Sequence, residues 1–373
     1  MSFSSLSKNI FGFTISLLIY FLILNIFSIF FLRNFLYQKK SFPRQLLRII
    51  PSTLRWQYPD IGTSYKSSDL ALIGDSYVEG AGDSFTSNDY KYTIGHFINK
   101  YSKNPVVAFG SGGSSLPEQL QLFKASIKGE LWPLRDGRDP IDYPSKVILF
   151  FYEGNDILAY FKYRKVLNLS KEEYENIRLK KIKNEKYFPV FSIFRNIFYS
   201  ISKKFFNKNN YRFKNSEETN EICTKQQCFT TGPLQAAAPN YTNEEILEAL
   251  NSKFASILSF KDFYNKKICL AYIPSPATIY SPDGIYYYSG LKSGDHSINF
   301  ASSERNLNRS KFIRSNISRI LQNNNIEFAD LSDEIISFSK KQFILGNKDT
   351  NHFNSAGYKK IAQILVERYP ECI

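Results

Sequence analysis

"LALIGDSYVEGAG", residues 70–82, opens on an unbroken apolar run and turns at Gly74. The run is too short for a helix and apolar at successive positions, so it suits a strand covered on both faces, the pattern of a parallel sheet. Ser76 follows it closely, between Asp75 and Tyr77. That places the serine at the strand's carboxyl end, where open α/β sheets hold their ligands. A Gly-Asp-Ser turn is common by itself. Whether Ser76 is a turn residue or a nucleophile depends on what stands at the other strand ends.

Further runs repeat the pattern: "PVVAF" at 105–109, "KVILFFY" at 146–152, "KICLAYI" at 267–273 and "IEFAD" at 326–330, beside "DLALI" at 69–73. Helical segments fall between and after them, at 91–103, 117–128, 243–264, 303–324 and 354–368. The alternation predicts a doubly wound α/β domain over 66–368, with a five-stranded parallel sheet. Between 162 and 240 the rhythm breaks. There Phe191, Phe194, Phe198, Ile201 and Phe205 recur at helical spacing, flanked by Arg195, Lys203, Lys204 and Lys208. This basic aromatic insertion reads as an amphipathic helix, packed on its own domain as a lid or lying in a membrane interface.

The 373 residues exceed the length of one ordinary domain, so a core plus an anchor or insertion is expected. A hydrophobic content of 43% with 16% aromatic residues excludes a disordered chain. The formal net charge of +14 fits nucleic acid, an anionic membrane surface or an acidic polymer. No zinc-finger, RNP-like or helix-turn-helix pattern accompanies it, so nucleic acid is not expected as a partner. Residues 1–40 read as an anchor and its flank. From Ile10 to Leu32 no residue is charged, and as a helix the stretch would span roughly 34 Å, enough to cross a bilayer. No A-x-A-like cleavage site follows it, which argues against a removed signal peptide. Arg33, Lys39, Lys40, Arg44 and Arg48 follow the run, a bias that taken alone keeps the large domain in the cytoplasm, although large domains can be translocated despite it. Of the four cysteines, Cys223 and Cys228 bracket "TKQQ", which fits a small loop disulfide or two free thiols and neither a redox CxxC nor a zinc knuckle.

A serine nucleophile needs a base, and the chain has three histidines. His96 lies in a helical segment and His296 in a polar loop beside Asp295. His352 stands in "KDTNHFNSAG", just ahead of a helix that Asn354 or Ser355 can cap, with Asp349 three residues before it to orient the imidazole. His352 is therefore the expected base and His296 a minor alternative. Donors for an oxyanion are available after the second strand, in "FGSGGSSLPEQL", and after the third, in "YEGNDI", where Asn155 offers a side-chain amide. Competing motifs fail: "GDSYV" is not a GxSxG elbow, "GSGGSS" lacks the last glycine of GxGxxG, and no GK[ST] loop or HExxH is present. Neither a metal nor a cofactor is expected.

Taken together and in this order, "GDSYVEGAG", "GSGGSS", "EGND" and "DTNH" resemble the four blocks of the SGNH hydrolases, the GDSL-type esterase superfamily. The resemblance implies a three-layer, flavodoxin-like fold with Ser76 as nucleophile and His352 as base oriented by Asp349. It also implies an oxyanion hole formed by the N–H of Ser76, Gly113 and Asn155. Two residues depart from the family pattern: Ala108 stands where an asparagine often precedes the glycines, leaving Gly112 as an alternative to Gly113, and Glu153 stands where many members have glycine. The expectation is a membrane-anchored, extracytoplasmic enzyme hydrolysing small O-acyl esters, acetyl foremost, on envelope polysaccharide or lipid. An O-acetyltransferase acting on envelope glycans is the alternative with the same serine chemistry. The rival of another class is a non-catalytic envelope-binding module that uses the basic insertion.

Overall fold

The structure, a computed structural model, describes residues 12–27, 69–82, 92–102, 106–110, 112, 115–128, 144–167, 220–225, 227–280, 285–290, 297–346 and 351–373, with isolated positions at 180, 193, 195 and 197. The strands are β1 (Leu70–Gly74), β2 (Val106–Gly110), β3 (Lys146–Tyr152), β4 (Asn220–Cys223), β5 (Cys228–Thr231), β6 (Lys267–Ile273), β7 (Ile285–Gly290), β8 (Ser297–Ser302) and β9 (Glu327–Asp330). The described helices begin with α1 (12–27), followed by α2 (Ser76–Glu79), α3 (Ile94–Tyr101), α4 (Leu116–Ile127) and α5 (Glu153–Leu167). After the first hairpin come α6 (Asn243–Tyr264), α7 (Pro276–Tyr280), α8 (Ser303–Asn323), α9 (Ser332–Ser339) and α10 (Ser355–Arg368).

The expected sheet forms. It has five parallel strands in the order β2-β1-β3-β6-β9. The apolar runs are buried because both faces are covered, and their side chains divide with the period of two that a strand imposes. Leu70, Leu72, Ile148, Phe150, Ala271 and Ile273 pack with α3 and α10 on one face. Ala71, Ile73, Leu149, Phe151, Leu270 and Tyr272 pack with α4, α6 and α8 on the other. Full burial of each large apolar side chain contributes about 1.5–3 kcal/mol, so these two layers hold the domain together. The chain runs to β2 on one side of β1 and then returns to β3 on its other side, which makes the carboxyl ends of β1 and β3 a topological switch point, where open α/β sheets bind ligands.

Local chemistry fixes the helix ends. Thr242 and Glu245 form a reciprocal capping box at the start of α6. Asn354 caps α10 by accepting from the Gly357 N–H at 3.1 Å, and its amide donates to the carbonyls of Phe343 and Leu345. Two antiparallel hairpins, β4–β5 and β7–β8, lie outside the main sheet. In the first, Cys223 and Cys228 are opposite each other and disulfide-bonded, and a second disulfide joins Cys269 in β6 to Cys372.

Helix α1 covers the interior of the apolar run expected over Ile10–Leu32, whose two ends lie outside the described residues. Among the described residues no helix is long and apolar enough to cross a membrane. The surface of α1 is nonetheless unlike the rest: Phe13 is 70% exposed, Leu18 63% and Phe27 65%, and the one exposed large apolar residue described outside this helix is Leu307. Of the span expected as an insertion, residues 162–167 continue α5. Leu234, Ala236, Ala237 and Ala238 are buried in the core, and the aromatic helix expected around 191–205 lies almost wholly outside the described residues.

Candidate active site

Ser76 begins α2 immediately beyond β1. Asp75 caps that short helix, its carboxylate accepting from the Tyr77 N–H at 2.9 Å, and Gly80 ends it in a left-handed conformation. The end of β2 passes directly against this turn. A Cβ on Gly110 would lie 2.0 Å from the Glu79 nitrogen, so only glycine lets the end of β2 approach α2 this closely.

His352 reaches this turn from far along the chain, and its Nε2 lies 2.8 Å from Ser76 Oγ. With Nε2 unprotonated, the imidazole accepts the serine proton, the arrangement a nucleophile–base pair requires. The segment around His352 is held on several sides. The Tyr77 hydroxyl donates to the carbonyl of Asn351, the Gln235 N–H donates to Asn351 Oδ1 at 3.1 Å, and the Tyr358 hydroxyl donates to the Ala81 carbonyl at 2.7 Å. Gly82, at φ +108°, brings its backbone so close that a Cβ would stand 2.8 Å from the Phe353 oxygen and 3.1 Å from His352 Cβ. Asp349, expected to orient the imidazole, lies outside the described residues, as does His296. His96 sits on α3 with its ring against Phe97, at 5.4 Å between centroids.

Asn155, at the start of α5 just beyond β3, donates its side-chain amide to Asp75 Oδ2 at 3.0 Å. Fixing one amide hydrogen sets the direction of the other. The β2–α4 loop is held from the serine's own helix: the Gly112 N–H donates to Glu79 Oε2 at 2.6 Å, and a Cβ on Gly112 would stand 3.5 Å from Ser76 Cβ. The Gly112 N–H is thus engaged by a carboxylate, which disfavours Gly112 as an oxyanion donor. Gly113 lies outside the described residues.

Charge is concentrated behind Asn155. Burial, and then the neighbouring Asp156 carboxylate, push the Asp75 carboxyl up to about 6, against the opposing hydrogen bonds from Tyr77 and Asn155. Asp156 itself pairs with Lys253 of α6 at 2.9 Å in the interior and accepts from the Tyr152 N–H at 2.8 Å. Glu153 is wholly buried. It accepts from the Tyr272 hydroxyl, the Ser275 N–H at 2.8 Å and the Thr278 hydroxyl at 2.7 Å. Asn306 extends this network by donating to Thr278 Oγ1 and accepting from the Ala237 N–H. Glu153 therefore ties the start of α5 to the end of β6 and the start of α7.

The structure thus brings Ser76 and His352 together, and seats Asn155 against Asp75, the residue preceding Ser76. Sequence reasoning missed Tyr77, Glu79, Gln235 and Lys253, whose partners lie far away in the chain. The one group of metal-ligating types among the described residues, Glu221 with Cys223 and Cys228, has its two sulfurs joined in the disulfide.

No protein-family model and no curated protein matches the chain. Among solved structures it is similar to a member of the lipolytic protein G-D-S-L family from Veillonella parvula, with 11% identity, TM-score 0.33, and coverage of 81% of this chain and 97% of that one. It is also similar to an acetyl xylan esterase, with 14% identity, TM-score 0.33, and coverage of 82% and 99%. A gut microbial diltiazem-metabolizing enzyme aligns at 13% identity and TM-score 0.36, over 82% of this chain and 47% of its own. Likeness at these scores carries no weight for the site, which is read from its own geometry.

Proposed function

We propose that the chain is a serine esterase of the SGNH type, hydrolysing small O-acyl esters, with acetyl the favoured acyl group. The observation that carries this reading is the 2.8 Å contact between Ser76 Oγ and His352 Nε2 at the carboxyl end of β1, where the order of the sheet reverses. Ser76 Oγ attacks the acyl carbon while its proton passes to His352 Nε2. The oxyanion is met by the Ser76 N–H at the start of α2, by the Asn155 amide and by Gly113. Collapse breaks the ester C–O bond, His352 returns the proton to the leaving alcohol, and an acyl-serine remains. Water then attacks that ester with His352 as base, releasing the acid and free Ser76.

The same proposal places the enzyme on a membrane, with its domain outside the cytoplasm and acylated envelope polysaccharide or lipid as substrate. Support comes from the uncharged stretch Ile10–Leu32 and the exposed apolar side chains of α1, which suit lipid better than water. Two disulfides suit an oxidising compartment. The basic flank after the anchor does not oppose this strongly, because large domains translocate largely regardless of local charge.

Treatment with a fluorophosphonate probe and peptide mapping test the core of the reading. Ser76 is expected to carry the label, and Ser76→Ala to lower ester turnover by about 10³-fold or more with the fold intact. Full turnover in Ser76→Ala would overturn it. Measuring free acid and acylated sugar separately, with a glycan acceptor present, distinguishes a hydrolase from a transferase.

A further inference from the structure

We propose that Tyr77, the residue after the nucleophile, is a positioning residue for the base: its hydroxyl grips the backbone beside His352 and holds the imidazole at the serine. This rests on the reading of Ser76 and His352 as the reacting pair.

The two are separated by 276 positions in sequence and sit on unconnected elements, so the 2.8 Å contact exists only if the segment around His352 is fixed relative to α2. Tyr77 spans that gap directly. It shares α2 with Ser76, is 1% exposed, and donates its hydroxyl to the carbonyl of Asn351, the residue before the base. Its ring lies 5.1 Å from the imidazole and 5.3 Å from Phe353, so the same side chain also meets the base and the residue after it. Tyr152 packs behind it at 4.0 Å between centroids, and this leaves the ring little freedom to turn away.

A second grip acts on the same residue. Asn351 has its side-chain oxygen held by the Gln235 N–H, so its main chain and its side chain are restrained from two different elements. Burial, and then the neighbouring Tyr152, push the Tyr77 phenol well above its usual range, so it remains protonated and donating throughout the pH range in which an imidazole base works. A displacement of about 1 Å between reacting groups costs up to roughly 10²-fold in rate, which is the scale on which such a grip acts.

The test uses the full-length chain in detergent micelles and reads both short-ester turnover and the rate of fluorophosphonate labelling at Ser76. Tyr77→Phe, which keeps the ring and removes the hydroxyl, is expected to lower kcat and the labelling rate about 10–100-fold with KM little changed. The decisive comparison is by background. In His352→Ala the Tyr77→Phe change should cost nothing further, because the group it positions is gone; in Asn155→Ala it should still cost its full factor. Equal losses in both backgrounds would make Tyr77 merely structural, and an unchanged labelling rate in Tyr77→Phe alone would also overturn the proposal. Should that variant fail to fold, Asn351→Ala removes the second grip, with a smaller loss expected that again disappears in His352→Ala; a loss that persists there counts against the proposal. Wild-type protein left unlabelled at Ser76 would bring down the esterase reading and this inference with it, whereas a labelled wild type with an indifferent Tyr77→Phe brings down the inference alone.

Discussion

Among the described residues, the segment that carries His352 is gripped by neutral groups, a phenol on a carbonyl, a backbone N–H on an amide oxygen and a glycine packed too closely for any side chain. Asn155, on the other flank of Ser76, is surrounded by buried carboxylates: Asp75 in contact, Glu153 two residues before it and Asp156 next to it, with Lys253 as the counter-charge. One flank is set by fit and the other by electrostatics. Changes on the first should alter rate with little effect on pH behaviour. Changes on the second should move stability and its pH dependence as well.

The largest effect expected from breaking this contrast is on the charged flank. Lys253→Met strands Asp156 in the interior, and leaving one partner of a buried pair unpaired typically costs about 3–5 kcal/mol. Urea unfolding should show that loss, and adding Asp156→Asn should recover most of it. Failure of the double variant to recover would mean that Lys253 acts through packing and not through its charge.

Next in size is the effect at Asn155, the proposed oxyanion donor. Asn155→Ala is expected to lower kcat by about 10²–10³-fold with KM little changed, the usual cost of one oxyanion donor. Unaltered kcat on a short acyl ester would reduce Asn155 to a partner of Asp75.

Asp75 offers the finest test, because its carboxyl is pushed from 3.8 up to about 6. A carboxyl whose pKa is raised in the folded state binds its proton more tightly there. The associated stability is complete below the unfolded value near 3.8 and is lost as pH rises through about 6. At neutral pH the buried charge therefore costs on the order of 3 kcal/mol. Asp75→Asn should recover about 1–3 kcal/mol at pH 7.5 and little at pH 4, as read by urea unfolding at both. Activity should fall, since an amide at 75 turns the Asn155 amide around. A stability difference that is the same at both pH values would discard the buried-charge account.

Much of this architecture is legible in the sequence because it is written in local pattern. "KVILFFY" and "KICLAYI" are strands over the same residues as expected, and the runs at 69–73 and 105–109 each shift by one. Such runs are short, apolar throughout and bounded by turns, which leaves a covered strand as the simplest outcome. The hairpins were not legible. "NEIC" and "CFTT" are only four residues each, and "IYYYSG" pairs with "SINFAS" across the six residues 291–296, a connection longer than the two-residue turns that mark a hairpin in sequence. At the candidate site, Ser76, Asn155 and His352 could be singled out because each sits in a compact motif at a strand end or a helix start. Tyr77, Gln235 and Lys253 could not, because what gives them a role is a partner 97 to 274 positions away. Cys269 and Cys372 were silent for the same reason, at a separation of 103.

That last bond also decides how the domain carries load. It ties Cys372, near the end of the chain, to Cys269 inside β6, and the loop it closes contains α7 to α10 and His352. Tension applied at residue 373 would enter the sheet through the two sulfurs and bypass α10 altogether. While the bond stays oxidised, a pull at that residue would strain β6 against its neighbours β3 and β9 and leave the segment around His352, with its contact to Ser76, mechanically slack.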